Sequence, residues 1–194
     1  MTADEFLEWS LEQEDKYELV DGEPVLMGDY VEENGRTTFM AGTKVEHDII
    51  VVSVLTELRA RLRGKPCRPF SGDLAARMVA GNIRRPDVTV DCRPPDRGAT
   101  ESGLPTVLVE VLSRSTRDPD LIRKADEYRQ LESLRHYVVI EPLTVHVTVW
   151  SRADDGSWPT TPADHKSLDA MVGLPAIGVE LPVAEIYDGV PLDE

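Results

Sequence analysis

The stretch Thr106-Val-Leu-Val-Glu-Val-Leu112 decides the fold, because it is almost continuously apolar. A run of this kind is typical of a strand that is covered on both faces of a sheet. Glu110 lies in the middle of the run. A buried, ionised carboxylate without a partner would cost several kcal/mol. Glu110 is therefore predicted to be protonated, paired with a cation or bound to a metal ion.

A second candidate strand lies upstream and reads Pro86-Asp-Val-Thr-Val-Asp-Cys92. Side chains alternate between the two faces of a strand, so Asp87 and Thr89 are predicted to share one face, with Val88 and Val90 on the other. A carboxylate thus comes from each of two strands.

A helix after the Glu110 strand supplies a lysine. Asp118 is a suitable N-cap, and Pro119 suits the first helical position, where no backbone N–H is needed. The predicted helix runs over residues 119–132. Residues at spacings of three, four and three form one stripe of this helix, namely Leu121, Lys124, Tyr128 and Leu131. The side of the helix that faces the sheet therefore contains Lys124.

The order of the elements predicts a mixed α/β fold with a central mixed sheet flanked by helices. The helix lies between the Glu110 strand and a strand over His136–Glu141, which implies a parallel crossover. A hairpin to Thr144–Trp150 follows, and the strand over residues 74–79 is predicted to pair with the Asp87 strand across a Gly81-Asn82 turn. These hairpins are antiparallel.

An N-terminal helix and hairpin precede this core. Thr2 and Glu5 have the spacing of a capping box. Residues 17–20 and 24–27 flank an Asp-Gly turn, which indicates a hairpin. Glu18 and Glu23 beside this turn are predicted to be solvated, and residues 28–42 are predicted to be a loop.

A long helix is predicted from a second capping box, Thr43 to Glu46, to about Arg63. Its broad apolar arc includes Val45, Ile49, Val52 and Leu55 and continues round to Val51, Val54 and Leu58. His47 lies on the flank of that arc. On the pattern alone, a partly buried packing role for His47 is favoured over a role in a site.

Composition limits the functional class. The chain has 194 residues and a net charge of −15, which argues against a passive nucleic-acid coat. Residues 1–33 hold 12 acidic residues and one basic residue, whereas residues 57–129 hold 15 of the 21 basic residues against 11 acidic ones. No stretch approaches the roughly 18 apolar residues of a membrane span, and the acidic N-terminus lacks the order of a signal peptide. A cytoplasmic protein is expected, with Cys67 and Cys92 as small core residues that carry free thiols.

Asp87, Glu110 and Lys124 together predict a hydrolytic site. Two carboxylates on adjacent strands provide the oxygen ligands that Mg²⁺ or Mn²⁺ prefers. A nearby ammonium could orient a water and offset charge on phosphoryl oxygens. Tyr128, one helical turn beyond Lys124, is predicted to support it.

These residues resemble motifs of the Uma-two family. The resemblance is carried by Arg85-Pro86-Asp87, by Val109-Glu110-Val-Leu-Ser-Arg-Ser-Thr116, and by Lys124 with Tyr128. It extends to residues 17–23, to the helix of His47 and to Leu174-Pro175, so it covers nearly the whole chain.

The Uma-two family is assigned to the PD-(D/E)xK superfamily of restriction-endonuclease-like proteins. The resemblance implies hydrolysis of DNA phosphodiester bonds with a divalent metal, Asp87 and Glu110 as its ligands and Lys124 as the active-site lysine. It also implies that His47 lines the site. The superfamily motif has a lysine two residues after the glutamate, where this chain has Leu112. The resemblance implies that Lys124 replaces that lysine from the next helix.

Three functional alternatives stay open beside a purely structural ion network. The first is a Mg²⁺-dependent DNA endonuclease, and the second is a catalytically idle member that binds nucleic acid or a protein. The third is a phosphoesterase that acts on a small substrate. The nuclease alternative predicts a homodimer, since one site per chain must cut two strands.

One restriction-endonuclease-like domain is predicted over residues 1–194, with an N-terminal extension (1–42), a catalytic core (43–150) and a C-terminal extension (151–194).

Overall fold

A computed structural model of the chain describes residues 1–33, 36–40, 44–113 and 119–192. Within these ranges the α-helices are α1 (Ala3–Ser10), α2 (Val45–Arg61), α3 (Pro119–Arg129) and α4 (Val183–Ile186), with a 3₁₀ turn at Pro175–Ile177. None of the helices in these ranges has the length and apolar character needed to span a membrane.

The strands of the described ranges form two larger sheets and two hairpins. In chain order they are β1 (Tyr17–Val20), β2 (Glu23–Leu26), β3 (Asp29–Glu33), β4 (Arg36–Met40), β5 (Arg68–Ser71), β6 (Ala75–Arg77), β7 (Ile83–Arg84), β8 (Val88–Asp91), β9 (Glu101–Ser102), β10 (Pro105–Val111), β11 (His136–Glu141), β12 (His146–Ser151), β13 (Ala163–His165), β14 (Met171–Leu174) and β15 (Val179–Pro182).

The six-stranded sheet has the order β13-β12-β11-β10-β8-β5 and carries the core. Strands β10 and β11 are parallel and are joined by α3, whereas β8 and β12 run antiparallel to their neighbours. The five-stranded sheet, in the order β2-β1-β7-β6-β9, is also mixed, since β6 and β9 are parallel. The predicted mixed α/β fold with a parallel crossover is therefore confirmed.

Strand β10 is covered on both faces, as predicted from its apolar run. Val107 and Val109 pack in a cluster that includes Ile50 and Val54 of α2. Leu108, on the other face, packs with Tyr128 of α3. Glu110 alternates with Val109, so it lies on the α3 side of the sheet.

The N-terminal helix and the first hairpin are also confirmed. The hydroxyl of Thr2 accepts a hydrogen bond from the backbone N–H of Glu5, whose carboxylate accepts one from the N–H of Thr2. The turn between β1 and β2 has positive φ angles at Asp21 and Gly22, 52° and 82°. Asp-Gly suits this turn because both positions must leave the usual negative φ region.

The prediction of a loop over residues 28–42 is wrong, because β3 and β4 pair antiparallel there. Aromatic and β-branched residues are frequent in both strands, which favours extended backbone. The sequence between the two strands is Asn34-Gly35, a dipeptide that strongly favours a hairpin.

Helix α2 follows the predicted position, and part of its broad predicted apolar arc is buried. Ile50, Val54 and Leu58 are its buried residues, whereas Val45 and Val52 are 61% and 54% exposed. Spacing by four selects one row of the helix to face the sheet, and the other valines remain outside it. Lys44 is the N-cap without a side-chain hydrogen bond, and Thr43 of the predicted capping box lies outside the described residues. The same holds for Asp118, the predicted N-cap of α3.

The predicted hairpin is wrong, because the strand in residues 74–79 does not pair with the Asp87 strand. Strand β6 pairs with β7 in the five-stranded sheet, whereas β8 belongs to the six-stranded sheet. The chain passes from one sheet to the other over residues 85–87. Asp87 therefore lies at this crossing, directly before β8.

The two cysteines are not separate thiols, because a disulfide joins Cys67 to Cys92. They flank β5 and β8 at the point where Arg68 and Asp91 face each other across the pair. The antiparallel register brings residues 67 and 92 together, and no spacing along the sequence reveals that register.

The C-terminal extension contains a hairpin and a short helix. Strands β14 and β15 form a hairpin around the 3₁₀ turn, and α4 follows directly. Val172, Leu174, Val179 and Leu181 of this hairpin join the core cluster of α2 and the six-stranded sheet.

Candidate active site

Glu110 and Lys124 lie together between the six-stranded sheet and α3. Both side chains are buried, at 7% and 6% residue exposure. The Nζ atom of Lys124 lies 3.4 Å from Oε1 of Glu110. The hydroxyl of Tyr128 donates a hydrogen bond of 2.6 Å to the same oxygen. The helical stripe of the sequence therefore brings Lys124 and Tyr128 to Glu110.

The environment of Glu110 makes its ionised form less favourable than it would be in water. Burial is the largest influence and raises the pKa of Glu110 from 4.5 to about 7. Lys124 and the hydroxyl of Tyr128 oppose this rise, whereas the nearby charges of Asp87 and Glu18 add to it. Two further carboxylates are thus near enough to Glu110 to influence its charge.

Asp87 lies beside the end of β10. Its Oδ2 accepts a hydrogen bond of 2.7 Å from the backbone N–H of Val111, the residue that follows Glu110. Its Oδ1 lies 3.4 Å from Nε2 of His47, which projects from the first turn of α2. His47 is thus placed in contact with Asp87, although its position on the apolar flank favoured a packing role.

Glu18 is the residue of this cluster that the sequence did not single out. Its prediction as a solvated hairpin charge is wrong, because Glu18 is 6% exposed. Its Oε1 lies 3.4 Å from Nζ of Lys124 and accepts a hydrogen bond of 3.0 Å from the backbone N–H of Arg85. Glu23, across the same turn, is exposed as predicted.

Arg84 connects Glu18 to α3. Its Nη1 donates to Oε2 of Glu18 at 2.8 Å, and its Nε donates to Oε2 of Glu127 at 2.7 Å. The side chain of Arg84 is 1% exposed. Asn82 and Arg123 donate to the same Glu127 carboxylate. The sequence contains a sign that Glu127 lies near the site, because Glu127 follows Lys124 by three residues and the two are neighbours on the same helix.

Positive partners keep Glu18 and Glu127 ionised. Burial acts to raise the pKa of Glu18, but the charges of Lys124 and Arg84 outweigh it and hold the pKa below its ordinary value. Burial likewise opposes ionisation of Glu127, and hydrogen bonds from Arg84 lead the contributions that lower its pKa. The two acids differ in this respect from Glu110.

The donor set of Asp87 and Glu110 fits a hard divalent cation. Both supply carboxylate oxygens, which Mg²⁺ and Mn²⁺ prefer, and Mg²⁺ usually keeps several of its waters. Burial and the nearby charge of Asp87 raise the pKa of Glu110, and a bound cation would act to lower it. Among the described residues no group of three or more His, Cys, Asp or Glu side chains is arranged to hold a metal ion. Asp87 and Glu110 are thus a set of two candidate carboxylate ligands.

The fold has a counterpart among solved structures. A crystal structure described as "a putative nuclease belonging to DUF820", from Anabaena variabilis, aligns with a TM-score of 0.70. The alignment covers 96% of this chain and 97% of that one, at 16% sequence identity. At this identity the likeness shows a common fold.

Sequence comparison gives the family. The "Uncharacterized protein slr1290" of Synechocystis sp. is 30% identical over 191 residues, which cover 97% of this chain and 92% of that protein. Residues 3–184 match the Uma2 (Uma-two) family, described as "Putative restriction endonuclease". Because this match covers most of the chain and includes every residue of the candidate site, from Glu18 to Tyr128, the chain belongs to the Uma2 family.

Proposed function

We propose that this protein is a Mg²⁺- or Mn²⁺-dependent endonuclease that hydrolyses DNA phosphodiester bonds with Asp87, Glu110 and Lys124. The observation that carries the proposal is the buried ammonium of Lys124, 3.4 Å from Glu110, in a cluster that also includes Asp87. Lysine is rarely buried unless it is paired. Two carboxylates can hold a divalent cation for phosphodiester hydrolysis, and a nearby ammonium can stabilise the charge that develops on the phosphate oxygens.

Each residue has a separate role in this proposal. Asp87 and Glu110 would hold the cation, which when bound lowers the pKa of a water and polarises a phosphoryl oxygen. Lys124 would stabilise the negative charge that develops on the phosphate oxygens. Tyr128 holds Oε1 of Glu110, and the N–H of Val111 holds Oδ2 of Asp87, so both carboxylates are oriented in advance. His47, in contact with Asp87, would line the site.

DNA is proposed as the substrate from the family and from the distribution of charge. Residues 57–129 carry 15 basic residues against 11 acidic ones, in a chain whose net charge is −15. Part of this basic charge is already neutralised, since Arg61 pairs with Glu57 and Glu185. A homodimer stays a prediction of this function, and sedimentation of a monomer at micromolar concentration would contradict it.

A catalytically idle binding protein is the second candidate. It is favoured by the ion network, in which Lys124 contacts Glu18 and Glu110, and Arg84 contacts the same Glu18 and also Glu127. Such a network can be purely structural. A phosphoesterase of small substrates is a third candidate with the same site.

A plasmid-nicking assay with a Mg²⁺ titration tests the proposal. Wild-type protein is expected to nick DNA only with metal, and Asp87→Asn is expected to lose roughly a hundredfold in rate. Asp96→Asn is the matched control, because Asp96 is an exposed aspartate shortly after β8. Nicking that survives in Asp87→Asn, or that needs no metal, would contradict the proposed site. Metal binding without nicking favours the other candidates, which a generic phosphodiester such as bis(4-nitrophenyl) phosphate then separates.

A further inference from the structure

The ammonium of Lys124 contacts two carboxylates that come from distant segments of the sequence. Its Nζ lies 3.4 Å from Glu110 of β10 and 3.4 Å from Glu18 of the N-terminal hairpin. The position of Glu18 is fixed independently of Lys124. Arg84 donates to its Oε2, and the backbone N–H of Arg85 donates to its Oε1.

The second carboxylate matters because an ammonium and a divalent cation compete for Glu110. An ammonium held by Glu110 alone would reduce the negative charge that this carboxylate offers to a metal ion. Glu18 offers Lys124 a second counter-ion at the same distance. Arg84 does not fully neutralise the charge of Glu18, because its guanidinium also binds Glu127 through two hydrogen bonds.

The balance of charge in the cluster agrees with this division. Arg84 pairs with Glu127, Arg123 binds both Glu127 and Asp21, and Lys124 pairs with Glu18. These six charges sum to zero. Asp87 and Glu110 then contribute two negative charges, which match the charge of one Mg²⁺ or Mn²⁺ ion. Buried charges are tolerated when they are balanced in this way.

We propose that Glu18 is a positioning residue that acts as the counter-ion of Lys124 and thereby leaves Glu110 available to a divalent cation. The inference rests on the proposed function, since it takes Asp87 and Glu110 as the metal ligands. It makes the β1–β2 hairpin part of the site, although the sequence placed that hairpin in an extension outside the catalytic core.

Mn²⁺ binding to the full-length protein, followed by electron paramagnetic resonance without DNA, tests the inference. The comparison uses wild type, Glu18→Gln, Lys124→Met and the double variant. Glu18→Gln is expected to weaken Mn²⁺ binding roughly tenfold when Lys124 is present and by less than about threefold in Lys124→Met. Lys124→Met alone is expected to bind Mn²⁺ at least as tightly as wild type, because the competing ammonium is gone.

Glu23→Gln is the matched control, because it removes one exposed charge from the same hairpin. It is expected to leave Mn²⁺ affinity unchanged. If Glu18→Gln weakens binding by the same factor with and without Lys124, Glu18 acts through its own charge and the inference is overturned. If Glu18→Gln does not fold, Glu18→Asp gives the same comparison, since it withdraws the carboxylate by one methylene.

The proposed metal site can fail separately from this inference. Wild-type protein that does not bind Mn²⁺, or Mn²⁺ binding that persists in Asp87→Asn, overturns the metal site and the inference with it. Binding that is lost in Asp87→Asn and unaffected by Glu18→Gln overturns the role of Glu18 alone.

Discussion

The guanidinium of Arg84 binds the carboxylate of Glu127 through two hydrogen bonds, from Nε to Oε2 at 2.7 Å and from Nη2 to Oε1 at 3.0 Å. Arg84 ends β7 of the five-stranded sheet, whereas Glu127 lies on α3, which follows β10 of the six-stranded sheet. The pair therefore links the five-stranded sheet to the helix that follows β10 of the six-stranded sheet. Because Glu127 and Lys124 are one helical turn apart, the same pair restrains the rotation of α3 that directs Lys124 toward Glu110.

Replacing Arg84 is expected to destabilise the fold strongly. Arg84→Met leaves the carboxylates of Glu18 and Glu127 without their shared cation, and breaking a buried pair in this way costs about 3–5 kcal/mol. Urea denaturation measures the loss. Arg77→Met is the matched control, since Arg77 also binds two acids, but its side chain is 36% exposed. Its expected cost is below about 1 kcal/mol, and equal losses in the two variants would contradict the burial argument.

Reduction of the Cys67–Cys92 disulfide is expected to lower stability without unfolding the core. The bridge closes a loop between residues 25 apart in sequence, and removing such a constraint typically costs about 2–4 kcal/mol. Melting temperatures with and without reductant measure the effect. The double variant Cys67→Ser, Cys92→Ser is the control and should not respond to reductant. Two reactive thiols in unreduced, denatured protein would show that the bridge is not formed.

Neutralising Glu110 is expected to stabilise the metal-free protein at alkaline pH. The folded state raises the pKa of Glu110 from 4.5 to about 7, so it binds more protons than the unfolded chain between these values. The free energy of unfolding contributed by Glu110 therefore falls as pH rises through this window. Glu110→Gln avoids this loss, so its advantage over wild type should grow by up to about 3 kcal/mol between pH 4.5 and pH 8.

Urea denaturation in the presence of a chelator at several pH values measures this advantage. Glu132→Gln is the control, because Glu132 is exposed just after α3 and its replacement should not change the pH dependence. A difference between Glu110→Gln and wild type that stays constant with pH would show that Glu110 is ionised throughout.

The sequence predicts a site residue correctly where the evidence lies within a single helix or strand. Lys124 and Tyr128 were predicted to face the sheet because their spacing depends only on the helix that carries them. Glu110 was recognised because a charge inside an apolar run is unusual wherever the run lies. Asp87 is predicted from the alternation of its own strand, and the resemblance adds the family.

Residues whose environment depends on distant segments were missed. A glutamate beside a hairpin turn has the same local pattern whether it is solvated or buried, and the cation that binds Glu18 is 66 residues away. The disulfide depends on the register of β5 and β8, which local sequence does not specify. The error at residues 28–42 is of another kind, because the hairpin signal of Asn34-Gly35 is local to the sequence.

His136 gives a pH dependence opposite in sign to that of Glu110. Its imidazole is 2% exposed, and its Nε2 accepts a hydrogen bond of 3.2 Å from the backbone N–H of Ala176. Nδ1 contacts the hydroxyl of Ser151 at 2.9 Å. Protonation of Nε2 would remove the acceptor that Ala176 uses. Burial lowers the pKa of His136 from 6.5 to about 4.

The unfolded chain therefore binds more protons at His136 than the folded protein between pH 4 and 6.5. The free energy of unfolding rises with pH in this window and is lost as pH falls, by up to about 3 kcal/mol. His136→Gln keeps an acceptor in the site but does not titrate, so its stability should fall less than that of wild type between pH 7 and pH 4. Urea denaturation measures both slopes, with His165→Gln on β13 as the control. If wild type and His136→Gln lose stability in parallel, the loss does not come from protonation of His136, and other groups cause the acid sensitivity.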